Sequence, residues 1–118
     1  MLLNLTDKVQ QARLQLKERY LKSDKPDSKR DRTFFNMVKN ETDPLFELIE
    51  KWEELALKAV KDREVSVHPQ QVQSTRENFE LIILHSYYID IKQKRYMELH
   101  QAIDYVCQMI IDTLTKKY

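Results

Sequence analysis

Residues 69–118 read PQQVQSTRENFELIILHSYYIDIKQKRYMELHQAIDYVCQMIIDTLTKKY, and after the opening proline this stretch holds neither proline nor glycine. As a single helix it would run about 75 Å at 1.5 Å per residue. The remainder of a 118-residue chain cannot cover a rod of that length, so the segment must fold back on itself. Its most polar tetrad, Lys92-Gln93-Lys94-Arg95, marks the reversal. Breaking there predicts helices over about 69–91 and 95–116. The later one carries Tyr96, Leu99, Ile103, Val106, Cys107, Ile110 and Leu114 as a buried stripe at helical spacing.

Working outward, Val67-His68-Pro69 closes a short connection and opens the third helix, since a proline in the first turn forfeits no hydrogen bond. Upstream, Asp43-Pro44 reads as a helix start, yet Phe34, Val38, Thr42, Leu45, Ile49, Trp52, Ala56 and Ala59 hold one heptad phase straight through it. That conflict predicts two collinear pieces, about 32–40 and 44–63, separated by a kink or break. Thr6-Asp7 predicts the start of a first helix over about 5–23, with Leu5, Val9, Ala12, Leu16 and Tyr20 on its buried face. It ends in Ser23-Asp24-Lys25-Pro26-Asp27-Ser28, a string of turn formers. Four amphipathic helices with short links predict an all-α fold, an antiparallel up-and-down four-helix bundle forming one domain over residues 1–118.

The chain contains no glycine at all. Phosphate loops, dinucleotide-binding turns and nucleophile elbows depend on glycine for left-handed or closely approached backbone, so those catalytic scaffolds are excluded. Charged residues make up 33% and nearly cancel at net +1, which fits a soluble helical protein rather than a dedicated polyanion binder. Cys107 is the sole cysteine and cannot form an intrachain disulfide, and Met1-Leu2-Leu3 gives way at once to Asn4, Thr6, Asp7 and Lys8 rather than to an apolar leader. A cytoplasmic location is expected. The longest apolar run, Leu81 to Leu84, is far short of the roughly 20 residues a membrane span needs, so no membrane partner is expected.

Few constellations carry chemistry. His100 and Asp104 stand four apart on a shoulder of the last helix, and His85 lies on the antiparallel helix before it, near the same turn. These three are the candidate ligand or metal site, although the Glu-x-x-His pairs of di-iron bundles are absent. Cys107 falls within an apolar stripe, where a thiol acts as an inert small hydrophobe. Ser86 and His85 are sequence neighbours and point to different parts of the helix surface, so they are no catalytic dyad. Glu47, Glu50, Glu53 and Glu54, interleaved with Lys51 and Lys58, read as a solvated face with helical ion pairs. Tyr87, Tyr88, Tyr96, Tyr105 and Trp52 read as core fillers with hydroxyls at the rim, or as the lining of a small-molecule pocket.

Helix three is apolar on two sides, with Phe79, Ile82, Ile83 and Ile89 on one and Leu81, Leu84, Tyr88 and Ile91 on the other. Either neighbouring helices and Phe34-Phe35 cover both sides, or one side meets a partner or a second copy. The bundle topology also gathers charge. The first and third connections share an end, so Lys22, Lys25, Lys29, Arg30 and Arg32 join Lys92, Lys94 and Arg95 there, partly offset by Asp24, Asp27, Asp31 and Asp90. Lys25, Lys29, Arg30, Arg32, Lys92, Lys94 and Arg95 are the candidate contact for an anion or a partner.

The strings Val67-His68-Pro69-Gln70-Gln71-Val72, Glu77-Asn78-Phe79-Glu80-Leu81 and His85-Ser86-Tyr87-Tyr88-Ile89-Asp90, followed by Lys94-Arg95-Tyr96, resemble the YppE-like family of small proteins from bacilli and related Gram-positive bacteria. The resemblance spans nearly the whole chain and is clearest in its second half. It implies a four-helix bundle and brings no assigned activity, so it adds no catalytic or binding residue.

The leading functional reading is a non-catalytic cytoplasmic interaction or regulatory bundle with an unidentified protein partner, no cofactor, and a monomeric or weakly dimeric state. The alternative is a small-ligand or metal-binding bundle, as in a hydrolase, using His85, His100 and Asp104. Binding of nucleic acid or another polyanion through the basic end ranks third, because only Phe34, Phe35 and Tyr96 offer aromatic surface among those charges.

Overall fold

The computed structural model describes residues 1–22, 32–87 and 91–116, with the side chain of Phe34 outside that set. Four helices follow in order: α1 Leu2–Lys22, α2 Arg32–Lys61, α3 Pro69–Tyr87 and α4 Gln93–Thr115. They form an antiparallel bundle of 51 × 27 × 22 Å. Cross-helix bonds establish the directions: Thr6 meets Trp52 and Arg19 meets Glu41 between α1 and α2, Glu53 meets Arg76 and Glu41 meets Tyr87 between α2 and α3, and Ser86 meets Tyr96 between α3 and α4. The section is a rhombus rather than a square. α1 and α3 touch each other and both remaining helices, whereas α2 and α4 make no contact with each other among the described residues.

This arrangement accounts for the two-sided α3. Phe79, Ile82 and Ile83 are buried and Leu84 is half-buried, because three helices surround this one; Leu81 alone of the described residues in that set reaches the surface. Tyr88 and Ile89 lie outside the described residues. The core holds most of the predicted stripes, Val9, Ala12 and Leu16 from α1, Val38, Ile49, Trp52, Ala56 and Ala59 from α2, and Tyr96, Leu99, Ile103, Val106, Cys107 and Ile110 from α4, whereas Leu5, Tyr20, Leu45 and Leu114 are only partly buried against it and Val65, Val67, Val72 and Tyr87 join it.

The helix ends differ from expectation in three places. α1 begins at Leu2 rather than near Leu5, and Thr6 does not cap it. The Thr6 hydroxyl is buried, donating to Leu2 O at 2.8 Å and accepting from Trp52 Nε1 at 3.0 Å. Leu2 and Leu5 pack on the core, which holds the extra turn in place. α2 runs unbroken through Pro44, where a break was expected. Proline there removes one backbone bond and crowds the preceding turn, at about 3 kcal/mol; burial of Val38 and Thr42 before it and Ile49 and Trp52 after it outweighs that loss. Finally, α4 starts at Gln93, with Lys92 in extended conformation at its N-cap. Lys94 and Arg95 therefore belong to its first turn rather than to the connection.

Two ends show how a chain without glycine turns. α2 closes in a Schellman motif, with Glu64 N–H donating to Ala59 O and Arg63 N–H to Val60 O. Arg63 takes the left-handed position at φ 60°, where glycine is usual. At the start of α3, His68 Nδ1 accepts from Gln70 N–H while the Gln71 side chain accepts from His68 N–H. This is a reciprocal cap around the predicted Pro69.

Candidate functional site: a polar groove between α1 and α4

The facing sides of α1 and α4 carry a polar network that includes the two buried side chains Arg13 and His100. Arg13 follows Val9 by four residues and precedes Leu16 by three, so helical geometry turns it inward with the core stripe. It is only 9% exposed. Its Nε donates to Gln10 Oε1 at 2.7 Å, and the Gln10 amide donates in turn to Asp104 Oδ1 at 2.8 Å. Arg13 Nη2 lies 3.5 Å from the same carboxylate oxygen. Its Nη1 reaches His100 Nδ1 at 3.3 Å.

Arginine has no acceptor, so this contact fixes the imidazole: Nδ1 accepts and the proton sits on Nε2. His100 is 2% exposed, and burial, reinforced by the positive charges of Arg13 and Lys17, lowers its pKa from 6.5 to about 4. It is a neutral donor at physiological pH. Nε2 has no hydrogen-bond partner among the described residues, and a buried, unpaired polar group of this kind costs about 1–3 kcal/mol. On its other side the ring meets Tyr96 edge-on at 4.6 Å, and Tyr96 stacks on Tyr20 at 3.8 Å.

Beside this network lies an open groove of about 370 Å³, lined by Arg13, Leu14, Lys17, Met97, His100, Gln101 and Asp104. Its walls alternate apolar and charged: Leu14 is 53% exposed on the α1 lip. Lys17 makes no ion pair among the described residues. The groove thus offers two cations and one carboxylate, with the His100 ring in its lining and Nε2 closed from the surface.

Of the three candidate metal ligands, the structure joins His100 and Asp104 through Arg13 and leaves His85 apart. Among the described residues no group of three His, Cys, Asp or Glu side chains lies close enough to hold a metal ion. The expected three-ligand arrangement is not assembled, because His85 lies half-buried on α3 whereas His100 faces α1. Arg13 and Gln10 escaped the sequence reading, although a charged residue in phase with the Val9, Ala12, Leu16 stripe was the available signal.

The other reactive side chains are committed elsewhere. Burial pushes the Cys107 thiol up to about 12. Ser86 Oγ donates to Ile82 O at 2.6 Å and shares a 2.7 Å bond with Tyr96 Oη, so the Tyr96 hydroxyl sits inside the core rather than at the rim. Burial raises the Tyr96 phenol to about 12, with the Ser86 bond opposing. Tyr105 points outward. Glu53 leaves the acidic face to pair with Arg76 across helices at 2.6 Å.

At the basic end, the Tyr20 hydroxyl donates to Ile91 O at 2.7 Å and fastens the last turn of α1 to the α3–α4 connection. Lys22 therefore shares that end with Lys92, Lys94 and Arg95, all exposed, while Arg32 begins α2. Lys22 pairs with Glu18 at 2.7 Å and Arg95 with Glu98 at 3.8 Å. Lys25, Lys29 and Arg30 lie outside the described residues.

Comparison with known proteins matches this architecture to relatives without an assigned activity. Over 85 residues the chain is 28% identical to a Bacillus subtilis (strain 168) protein described as "Uncharacterized protein YppE", covering 71% of this chain and 69% of that one. The crystal structure of B. subtilis yppE superposes with a TM-score of 0.83 at 26% identity, covering 98% of this chain and 93% of the other. Its solution NMR structure gives 0.80 at 24%, with the same coverage. Residues 6–114 match the family described as "Bacterial domain of unknown function (DUF1798)". By that match the chain belongs to the DUF1798 family, the YppE-like proteins its sequence resembles.

Proposed function

We propose that the protein is a non-catalytic binding bundle, acting in the cytoplasm as an interaction or regulatory module, and that its contact is the groove between α1 and α4. One observation carries this reading. The nearly buried Arg13 guanidinium and His100, whose buried N–H donor has no acceptor among the described residues, both line a groove of a size that holds a small molecule or a partner's side chain. Native structures rarely leave such a donor unpaired, which makes this corner of the bundle the least satisfied part of the described core. The commitment of Cys107 and Ser86 to the core supports binding over covalent chemistry, and an unpaired thiol suits a reducing compartment. No described helix is long and apolar enough to cross a membrane.

Saturation-transfer NMR with a general library of polar fragments tests the proposal, repeated on Gln101→Trp, an exposed position whose enlargement fills the groove. Fragments that bind the wild type and are lost from the variant support it. A library without binders, or binders indifferent to the tryptophan, overturns it.

A second reading, polyanion contact at the basic end, is favoured by α4 itself, which opens with Lys92, Lys94 and Arg95 and has no acid in its first turn. Cations at a helix N-terminus oppose the helix dipole and concentrate positive potential there. Filter binding of single-stranded DNA at low and high salt checks it, and absence of retention at low salt refutes it.

A further inference from the structure

Resting on the binding reading above, we infer that the groove selects a small monocarboxylate with an apolar body. The charge balance sets the sign. Arg13 and Lys17 bring two positive charges to the groove and Asp104 returns one negative, leaving one unit of positive charge uncompensated among the lining residues. That balance suits a monoanion. A phosphate dianion would remain half unpaired beside Asp104, and an ammonium would meet two cations.

The donors fit the same group. A carboxylate has two oxygens that accept several hydrogen bonds. Arg13 Nη atoms have weak engagements, at 3.3 Å to His100 and 3.5 Å to Asp104, beyond the usual length of a charge-assisted bond. Lys17 has no ion pair among the described residues, and the His100 ring that Arg13 contacts lines the groove with Nε2 closed from its surface. One carboxylate accepts from Arg13 and Lys17 together, its two oxygens dividing the two cations. The apolar part of the ligand is read from the walls, where Leu14 on α1 and Met97 on α4 flank the polar floor. Met97, unbranched and flexible, adapts to the shape of the ligand's apolar body.

The test is a titration of the full chain with sodium hexanoate followed by ¹H–¹⁵N spectra, alongside 1-hexanol, hexylammonium chloride and inorganic phosphate. Hexanoate is expected to shift the resonances of Leu14, Lys17, Met97 and Gln101 saturably and to move the His100 Nε2–H signal, with the other three probes at least about tenfold weaker. Lys17→Gln, at a partly exposed site, should weaken hexanoate about three- to tenfold, and Asp104→Asn should tighten it by a similar factor, the range expected for charges near a surface. Equal binding of hexanol, preference for hexylammonium or phosphate, or a weaker hexanoate complex in Asp104→Asn overturns the carboxylate assignment while leaving the groove as a binding site. No shift of these resonances with any of the four probes overturns the groove reading as well.

Discussion

Acidification should destabilise this protein through one side chain, His100, and the size of the effect follows from its surroundings. In the folded chain its pKa is about 4, because the ring is buried and faces Arg13 and Lys17. In the unfolded chain it returns to 6.5. Above pH 6.5 neither state binds the proton and His100 has no influence on stability. As the pH falls below 6.5 the unfolded state takes up the proton first, so stability drops. The drop approaches about 1.4 kcal/mol per pH unit and is complete below pH 4. The difference amounts to about 2 kcal/mol at pH 5 and about 3 kcal/mol at the acid limit. Urea unfolding between pH 7.5 and 4.5 on wild type and His100→Gln measures it. Glutamine does not titrate and its side-chain oxygen can still accept from Arg13, so the readout is the difference in slope rather than in absolute stability. Wild type should lose about 2 kcal/mol more than the variant between pH 7.5 and 5. Parallel curves would refute the reasoning, as would long-range ¹⁵N spectra showing a protonated Nδ1 at pH 7.

Three further outcomes follow from the core and the helix ends. Trp52→Phe removes the indole bond to Thr6 and leaves a void in the fully buried centre; denaturation should show a loss of about 2–3 kcal/mol. Arg63→Gly relieves the left-handed backbone that closes α2. Relief of about 1–2 kcal/mol, less the greater freedom of glycine in the unfolded chain, should leave a gain of about 0.5–1 kcal/mol in thermal unfolding. Cys107, whose thiol is held near 12 by burial, should resist a maleimide at pH 8 in the native protein and react at once in guanidinium.

Periodicity made the core legible. Val9, Ala12, Leu16, Ile49, Trp52, Ile103, Val106 and Ile110 recur at helical spacing because one face of each helix is buried, and the structure buries them. Helix ends were less legible because the same residue types serve two purposes. Thr6 reads as a cap, yet its hydroxyl partners the Trp52 indole, which lies 46 positions away. Asp43-Pro44 reads as a start, yet tertiary burial of Val38 and Thr42 carries the helix through. At the groove, His100 and Asp104 were visible as an i, i+4 pair on one helix. Arg13 and Gln10 were not, since their meeting with them depends on the rotation of α1 against α4, which no local pattern records.

The rhombic section makes the groove the last part of the protein to come into being. Its two walls are separated by 87 positions between Arg13 and His100. At a synthesis rate of about 5–20 residues per second, α1 waits on the order of 5–20 s for the opposite wall to be made. Meanwhile α2 and α3 can pair with it and with each other, leaving Arg13 facing solvent. Closing that long loop carries the largest entropic cost of any helix contact in the fold. A molecule that occupies the groove therefore favours only chains in which α4 has docked. Occupancy would report completed folding as well as the presence of the molecule.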